Sequence, residues 1–195
     1  MPKKPLLTQL PNILTVIRMV LALAMLHFLF SKLPGSKLLA LTIFIVASAT
    51  DYLDGEIARQ KKWITPFGKL MDPIADKMLT LSAFLGFVQL GIIPAWMALL
   101  ILFRDLLITG LRLTMLPEKE DVSAKKSGKH KTALQFAAIL GILVFLTLYE
   151  TAYWHKEWTG VSLWFIYYAM LGVVGMTLWS GFSYVKAHKK FLLGG

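Results

Sequence analysis

The sequence predicts an all-α membrane protein with six transmembrane helices and a polar active-site cavity facing the cytoplasm. Three observations lead there. Hydrophobic residues make up 56% of the 195-residue chain and charged residues only 16%, with a mean hydropathy of +0.63, too few charges for a soluble domain of this length. A spanning helix needs roughly 20 mostly apolar residues, and six such stretches occur at about 12–31, 37–58, 70–91, 94–116, 132–153 and 161–186. The basic residues alternate between the connections. If the N-terminus is cytoplasmic, one side holds Lys3, Lys4, Arg59, Lys61, Lys62, Lys69, Lys119, Lys125, Lys126, Lys129, Lys131, Lys186, Lys189 and Lys190, and the other only Lys32, Lys37 and Lys156. That is the positive-inside asymmetry. It places both termini in the cytoplasm and the chain, multi-pass, in the cytoplasmic (inner) membrane. The formal charge of +10 is thus spent on orientation and on attracting anionic headgroups and substrates, and no nucleic-acid partner is expected.

Residues 1–11 form a short basic interfacial segment, in which Leu6, Leu7 and Leu10 lie on the membrane surface. A cleaved signal peptide is not expected, because the apolar run that follows is too long for an h-region and no small-x-small site follows it. The first span opens with Pro11-Asn12-Ile13-Leu14-Thr15 and carries Arg18 about two turns in, where snorkelling to the near interface is the plain expectation. Pro34-Gly35 makes the first outer turn. The second span ends on Asp51 and Asp54. Trp63 and Pro66 mark the connection at headgroup depth, and the third span starts near Asp72, with Pro73 tolerated in its first turn. Gly91 and Pro94 make the next outer turn. The fourth span holds Arg104, Asp105 and Arg112, with Arg104 and Asp105 expected to pair. A polar inner loop, PEKEDVSAKKSGKHKT, leads to the fifth span, with His130 in that loop. Ala137 and Gly141 form a small-xxx-small pair that hints at close helix contact. Glu150, His155 and Glu157 are expected on the outer surface near Trp154 and Trp158, and the sixth span closes on Lys186, His188, Lys189 and Lys190. No soluble domain fits beside six spans, so residues 1–195 form one membrane domain. There are no cysteines, which excludes disulfides and thiolate metal sites.

The chemistry concentrates between Asp51 and Asp76, in DYLDGEIARQKKWITPFGKLMDPIAD. Asp51 and Asp54 are three apart and Asp72 and Asp76 four apart, so on helices each pair shares a face. Two helix ends joined by a short turn then aim four carboxylates at one point. Ionisable residues in apolar surroundings are expensive enough to be functional by default. Four hard oxygen donors with no Cys or His nearby suit Mg²⁺ or Mn²⁺ rather than zinc. Gly55, directly after the second aspartate, lets a ligand approach the backbone.

With Ala58, Arg59 and Gly68, these residues compose D-x-x-D-G-x-x-A-R, eight residues, G-x-x-x-D-x-x-x-D. The pattern resembles the signature of the CDP-alcohol phosphatidyltransferase family at eight positions. The resemblance implies displacement at phosphorus: CDP-diacylglycerol donates its phosphatidyl group to an alcohol and CMP leaves. It implies two metal ions held by Asp51, Asp54, Asp72 and Asp76, with Asp76 also the general base. Gly55, Ala58, Arg59 and Gly68 would cradle the nucleotide and its diphosphate. A homodimer is the family's expected state.

The acceptor is read from other residues. Asn12-x-Leu14-Thr15-x-x-Arg18, Thr109-Gly110-Leu111-Arg112 and Gly128-Lys129-His130-Lys131-Thr132 resemble the phosphatidylglycerophosphate synthase branch of the family. That resemblance puts Asn12 and Thr15 beside the cytidine. Arg104, Arg112, Lys129 and Lys131 form a second basic set that would draw a phosphate-bearing alcohol, which points to sn-glycerol 3-phosphate. Two alternatives stand beside it: a sister transferase using inositol phosphate or serine, and, from a different class, an ion-coupled membrane transporter, whose acids would lie near the midplane.

Overall fold

The computed structural model describes the backbone of residues 10–61, 66–114, 122–151 and 157–187, and the side chains of 13–50, 74–75, 77–111, 132–151 and 157–187. The described residues form six α-helices and no strand: α1 Leu10–Phe30, α2 Ser36–Lys61, α3 Pro66–Gln89, α4 Ala95–Thr114, α5 Val122–Tyr149 and α6 Glu157–Ala187. Each expected span overlaps one helix: 37–58 and 161–186 lie wholly inside α2 and α6, and the other four overrun a helix end by one to four residues. Among the described residues, Ile13–Phe30, Thr132–Tyr149 and Glu157–Ala187 are long and apolar enough to cross a membrane by composition. The faces turned outward are apolar too: Phe165 is 75% exposed, and Val161, Trp179 and Phe182 are similarly open. A water-soluble surface avoids such patches, whereas lipid tails accept them. The chain is therefore an all-α membrane protein.

Helix ends differ from the apolar windows. α3 begins at Pro66, so Pro66 takes the first helical position, where proline's missing N–H is no loss. Pro73 lies two turns inside rather than in the first turn. α5 begins at Val122, so Lys125, Lys126, Gly128, Lys129, His130 and Lys131 are helical, not in a loop. Hydropathy measures only the hydrocarbon depth of a helix. It is blind to helix that continues into water on residues such as Ala, Lys and Ser.

The helices group into two compact units, one of Met1–Gly86 with Leu143–Trp154, the other of Phe87–Ile142 with His155–Gly195. In the first, α1 packs on α2 as an antiparallel hairpin. The reversal needs Gly35 at φ 78°, a conformation glycine adopts without strain. Ser36 Oγ donates to Ser31 O at 2.9 Å, and Lys37 Nζ donates to the same carbonyl at 2.7 Å. Glu150, at the end of α5, is more than an outer-surface residue: its Oε2 accepts the Lys37 N–H at 3.3 Å. A carboxylate there complements the positive N-terminal end of α2. Buried Thr15, Arg18, Ala22, Met25 and Leu29 recur at three and four residues, one continuous stripe of α1. Arg18 is 2% exposed, so it does not snorkel; it faces the protein interior. α3 approaches α1 at Gly86, where a side chain would run into Leu29 and Leu26.

In the second unit, Gly91 at φ 70° makes the predicted turn into α4, and α4 packs on α6. α6 buries Ile166, Met170, Val173, Val174, Thr177, Ser180 and Gly181, again one helical face. Among the described residues the Ala137/Gly141 pair shows no close contact: both residues are exposed, and no described atom lies within 4 Å of where a Gly141 side chain would sit. Ile139, Ile142, Leu143 and Leu146 form the buried face of α5 instead.

Candidate active site

The four aspartates take their places from helix register. On α2 the buried positions are Ser36, Ala40, Phe44 and Ala47, at steps of four, four and three. Continuing at four, three and four reaches Asp51, Asp54 and Ala58, all on the same helix. Asp51, Asp54 and Ala58 thus continue the helical spacing of that stripe. On α3, Ala75, Leu79, Thr80 and Ala83 are buried. Asp72 stands three residues before Ala75, and Asp76 stands three before Leu79 and four before Thr80 on the same helix. Gly68, Asp72 and Asp76 are spaced four and four, about 6 Å per step along the axis. The side-chain atoms of Asp51, Asp54, Asp72, Asp76, Ala58 and Arg59 lie outside the described residues, as do the surroundings of Gly55 and Gly68. Helix position is what is established for them.

The α1–α2 hairpin adds neighbours. Counting outward from Leu33 in the turn, Thr15 and Asp51 are each about eighteen residues away, so an antiparallel pair sets them at one level. Thr15 is 2% exposed, inward and at the aspartate end. Arg18 is one turn from it on the same stripe. The Asn12 side chain lies outside the described residues.

The second basic set is split. Arg104 is described in full. Its Nη2 donates to Ser180 Oγ at 2.7 Å and its Nη1 to Asp105 Oδ1 at 3.3 Å. Asp105 is buried and the Arg104 side chain is 12% exposed. The expected Arg104–Asp105 pair is present, but the shorter bond goes to α6. Arg112 is eight residues further along α4, about 12 Å by the helical rise. Lys129 and Lys131 stand in the first turns of α5. The side chains of these three lie outside the described residues.

Sequence reasoning missed several polar residues that the structure buries. Gln135, one turn beyond Lys131 on α5, is 2% exposed and its Nε2 has no hydrogen-bond partner. Thr177 on α6 is equally buried, with an unpartnered Oγ1. Buried polar atoms are nearly always bonded, so both mark places where polar contact is provided for. The available signal was Thr177, Ser180 and Gly181 at helical spacing within an apolar run. Small polar residues in a membrane helix are unremarkable unless their burial is known.

A family model described as CDP-alcohol phosphatidyltransferase matches residues 8–179. A Bacillus subtilis (strain 168) protein named CDP-diacylglycerol–glycerol-3-phosphate 3-phosphatidyltransferase is 37% identical over 153 residues, covering 78% of this chain and 75% of the relative. Proteins of the same name from Rickettsia bellii and Rickettsia felis are 33% and 36% identical, each over 93% of this chain and 96% of their own length.

Proposed function

This chain belongs to the CDP-alcohol phosphatidyltransferase family, and we propose that it transfers the phosphatidyl group of CDP-diacylglycerol to sn-glycerol 3-phosphate, giving phosphatidylglycerol phosphate and CMP. The observation that carries the acceptor is the similarity to synthases of that name along nearly the whole chain. Divalent-metal dependence is general in the family.

The residues present suit that chemistry. Asp51, Asp54, Asp72 and Asp76 provide only hard carboxylate oxygens, matched to Mg²⁺ or Mn²⁺, and the spacing within each pair sets both members on one face of a helix. When bound, two such ions offset the charge of the diphosphate and of the departing CMP. The chain's own groups do the rest. Arg59 offers a bidentate fork to the diphosphate, Gly55, Ala58 and Gly68 leave room for the nucleotide, and Asn12 and Thr15 flank the cytidine. The basic set of Arg104, Arg112, Lys129 and Lys131 holds the acceptor's phosphate and directs its free primary hydroxyl at the donor phosphorus, catalysis by positioning. Asp76 takes the hydroxyl proton as the new P–O bond forms. The P–O bond to CMP breaks, and CMP leaves with the bonding pair.

In this reading residues 1–195 are one catalytic domain, all six helices cross the inner membrane, and both termini and the active site face the cytoplasm. Residues 1–11 rest on the bilayer surface, and the working protein is a homodimer. The test is an acceptor screen of the purified protein with radiolabelled CDP-diacylglycerol, scored by lipid product and CMP release. Glycerol 3-phosphate should be used far better than serine, inositol or inositol phosphate. Equal use of any of those overturns the acceptor, and no CMP release with any alcohol overturns the reaction.

A further inference from the structure

α6 turns Ser180 and Gly181 toward Arg104 of α4. Arg104 sits at the middle of α4, the tenth of its twenty residues. An arginine at that depth in a membrane helix is expensive and calls for dedicated partners. Its Nη2 donates to a neutral hydroxyl, Ser180 Oγ, at 2.7 Å, and its Nη1 to the Asp105 carboxylate at 3.3 Å. A tight charge-assisted pair to a carboxylate is shorter than the latter, about 2.7–2.9 Å. Ser180 thus holds one arm of the guanidinium closely.

The next residue on α6 fits the stem of the same side chain. A Cβ at Gly181 would lie 3.0 Å from Arg104 Cγ and 3.4 Å from its Nε. Glycine inside a helix is destabilising relative to alanine, so this position is occupied by glycine at a loss that close passage of Arg104 explains. Ser180 and Gly181 are both buried. Because the guanidinium is planar with its donors in a fixed fork, fixing Nη1 and Nη2 and the stem fixes the direction of the whole plane.

We propose that Ser180 and Gly181 are positioning residues: a socket on α6 that sets the Arg104 guanidinium for the acceptor's phosphate. The proposal rests on Arg104 being an acceptor contact, and its test separates the two. Steady-state KM for glycerol 3-phosphate, KM for CDP-diacylglycerol and kcat are measured on purified full-length variants. Ser180→Thr and Ser180→Val have nearly the same shape and differ in the hydroxyl. The Val variant should raise the acceptor KM roughly tenfold over the Thr variant, the scale of one hydrogen bond to a charged group, with the donor KM unchanged. Gly181→Ala should move the acceptor KM in the same direction. In an Arg104→Ala background, already raised in acceptor KM, Ser180→Val should add nothing further. If Arg104→Ala leaves the acceptor KM unchanged, the reading of Arg104 fails and the socket with it. If Arg104→Ala raises it but Thr and Val at position 180 behave alike, or Val adds its effect without Arg104, then the socket is overturned while the reading of Arg104 stands. Equal loss of thermal stability in the Thr and Val variants with no KM split would likewise assign Ser180 to packing alone and overturn it.

Discussion

Gly86 is where the structure makes its sharpest demand on one residue outside the chemistry. It lies on α3 ten residues beyond Asp76, about 15 Å along the axis, and it lets α3 close onto α1. A β-carbon there would overlap Leu29 Cδ2 and come within 3.2 Å of Leu26 Cδ2. Leu29 has no exposed surface, so its terminal methyl has little space to swing into. Gly86→Val adds three carbons at this contact, and overpacking a close-packed core costs about 1–3 kcal/mol; a β-branched residue facing a filled site belongs in the upper half, about 2–3 kcal/mol. In a chain of this size each kcal/mol moves Tm by about 2–4 °C, so a fall of about 4–12 °C is expected. The measurement is thermal unfolding in detergent followed by tryptophan fluorescence, with Gly86→Ala as the graded control. Removing the obstacle supplies the internal check. Leu29→Ala alone opens a hole worth about 2–5 kcal/mol, which the valine partly fills, so the double variant should be less destabilised than the sum of the singles. A Gly86→Val protein as stable as the wild type, or strict additivity with Leu29→Ala, would refute the close α1–α3 approach.

Four further outcomes are expected. Single Asn substitutions at Asp51, Asp54, Asp72 or Asp76 should remove most turnover while the protein still inserts, and EDTA should do the same to the wild type until Mg²⁺ or Mn²⁺ is restored; full activity in EDTA contradicts the metal site. Arg112→Ala and Lys131→Ala should raise the acceptor KM about ten- to a hundred-fold, the loss of a charge-assisted hydrogen bond, whereas Arg59→Ala should weaken the donor; an unchanged acceptor KM in both removes them from the acceptor pocket. Cysteines placed at the exposed Leu33 and Leu90 and at Lys156 should react with an impermeant reagent on intact cells and one at Lys62 should not, with the reverse pattern inverting the topology. Gln135→Met keeps the size of the side chain and removes an unpartnered buried amide nitrogen, so stability should rise by about 1–3 kcal/mol; a lower Tm would show that the amide is bonded within the protein.

The sequence made the helices legible because bilayer thickness fixes how long an apolar run must be, and each of the six stretches overlaps one helix, though only two lie wholly inside it. The aspartate register was legible for the same kind of reason: spacings of three and four mean one face on any helix. What stayed hidden depends on neighbours distant in sequence. Arg18 near a span end is equally consistent with snorkelling and with burial, and only its burial in the folded chain decides. Gly86 has no turn to signal its purpose, while Ala137 and Gly141 carry a contact motif and stay exposed among the described residues. Helix that extends beyond the hydrocarbon, as at Val122–Lys131, produces no hydropathy signal at all.

Burial adds a pattern that single positions do not reveal. Along α1 the buried stripe is apolar at Leu29, Met25 and Ala22 and turns polar at Arg18 and Thr15, toward the N-terminal end. Along α2 it runs from Ala40 to Phe44 and Ala47. α4 buries Met97, Ala98 and Ile101 before Arg104 and Asp105, and Ile108 after them, while α6 passes from Ile166, Met170 and Val173 to Thr177 and Ser180, toward its C-terminus. On α5 the polar member, Gln135, precedes Ile139 and Leu143. A polar interior at hydrocarbon depth is tolerated only where it lines a cavity or is fully bonded, so each of these buried polar positions marks a place where its own helix provides for polar contact.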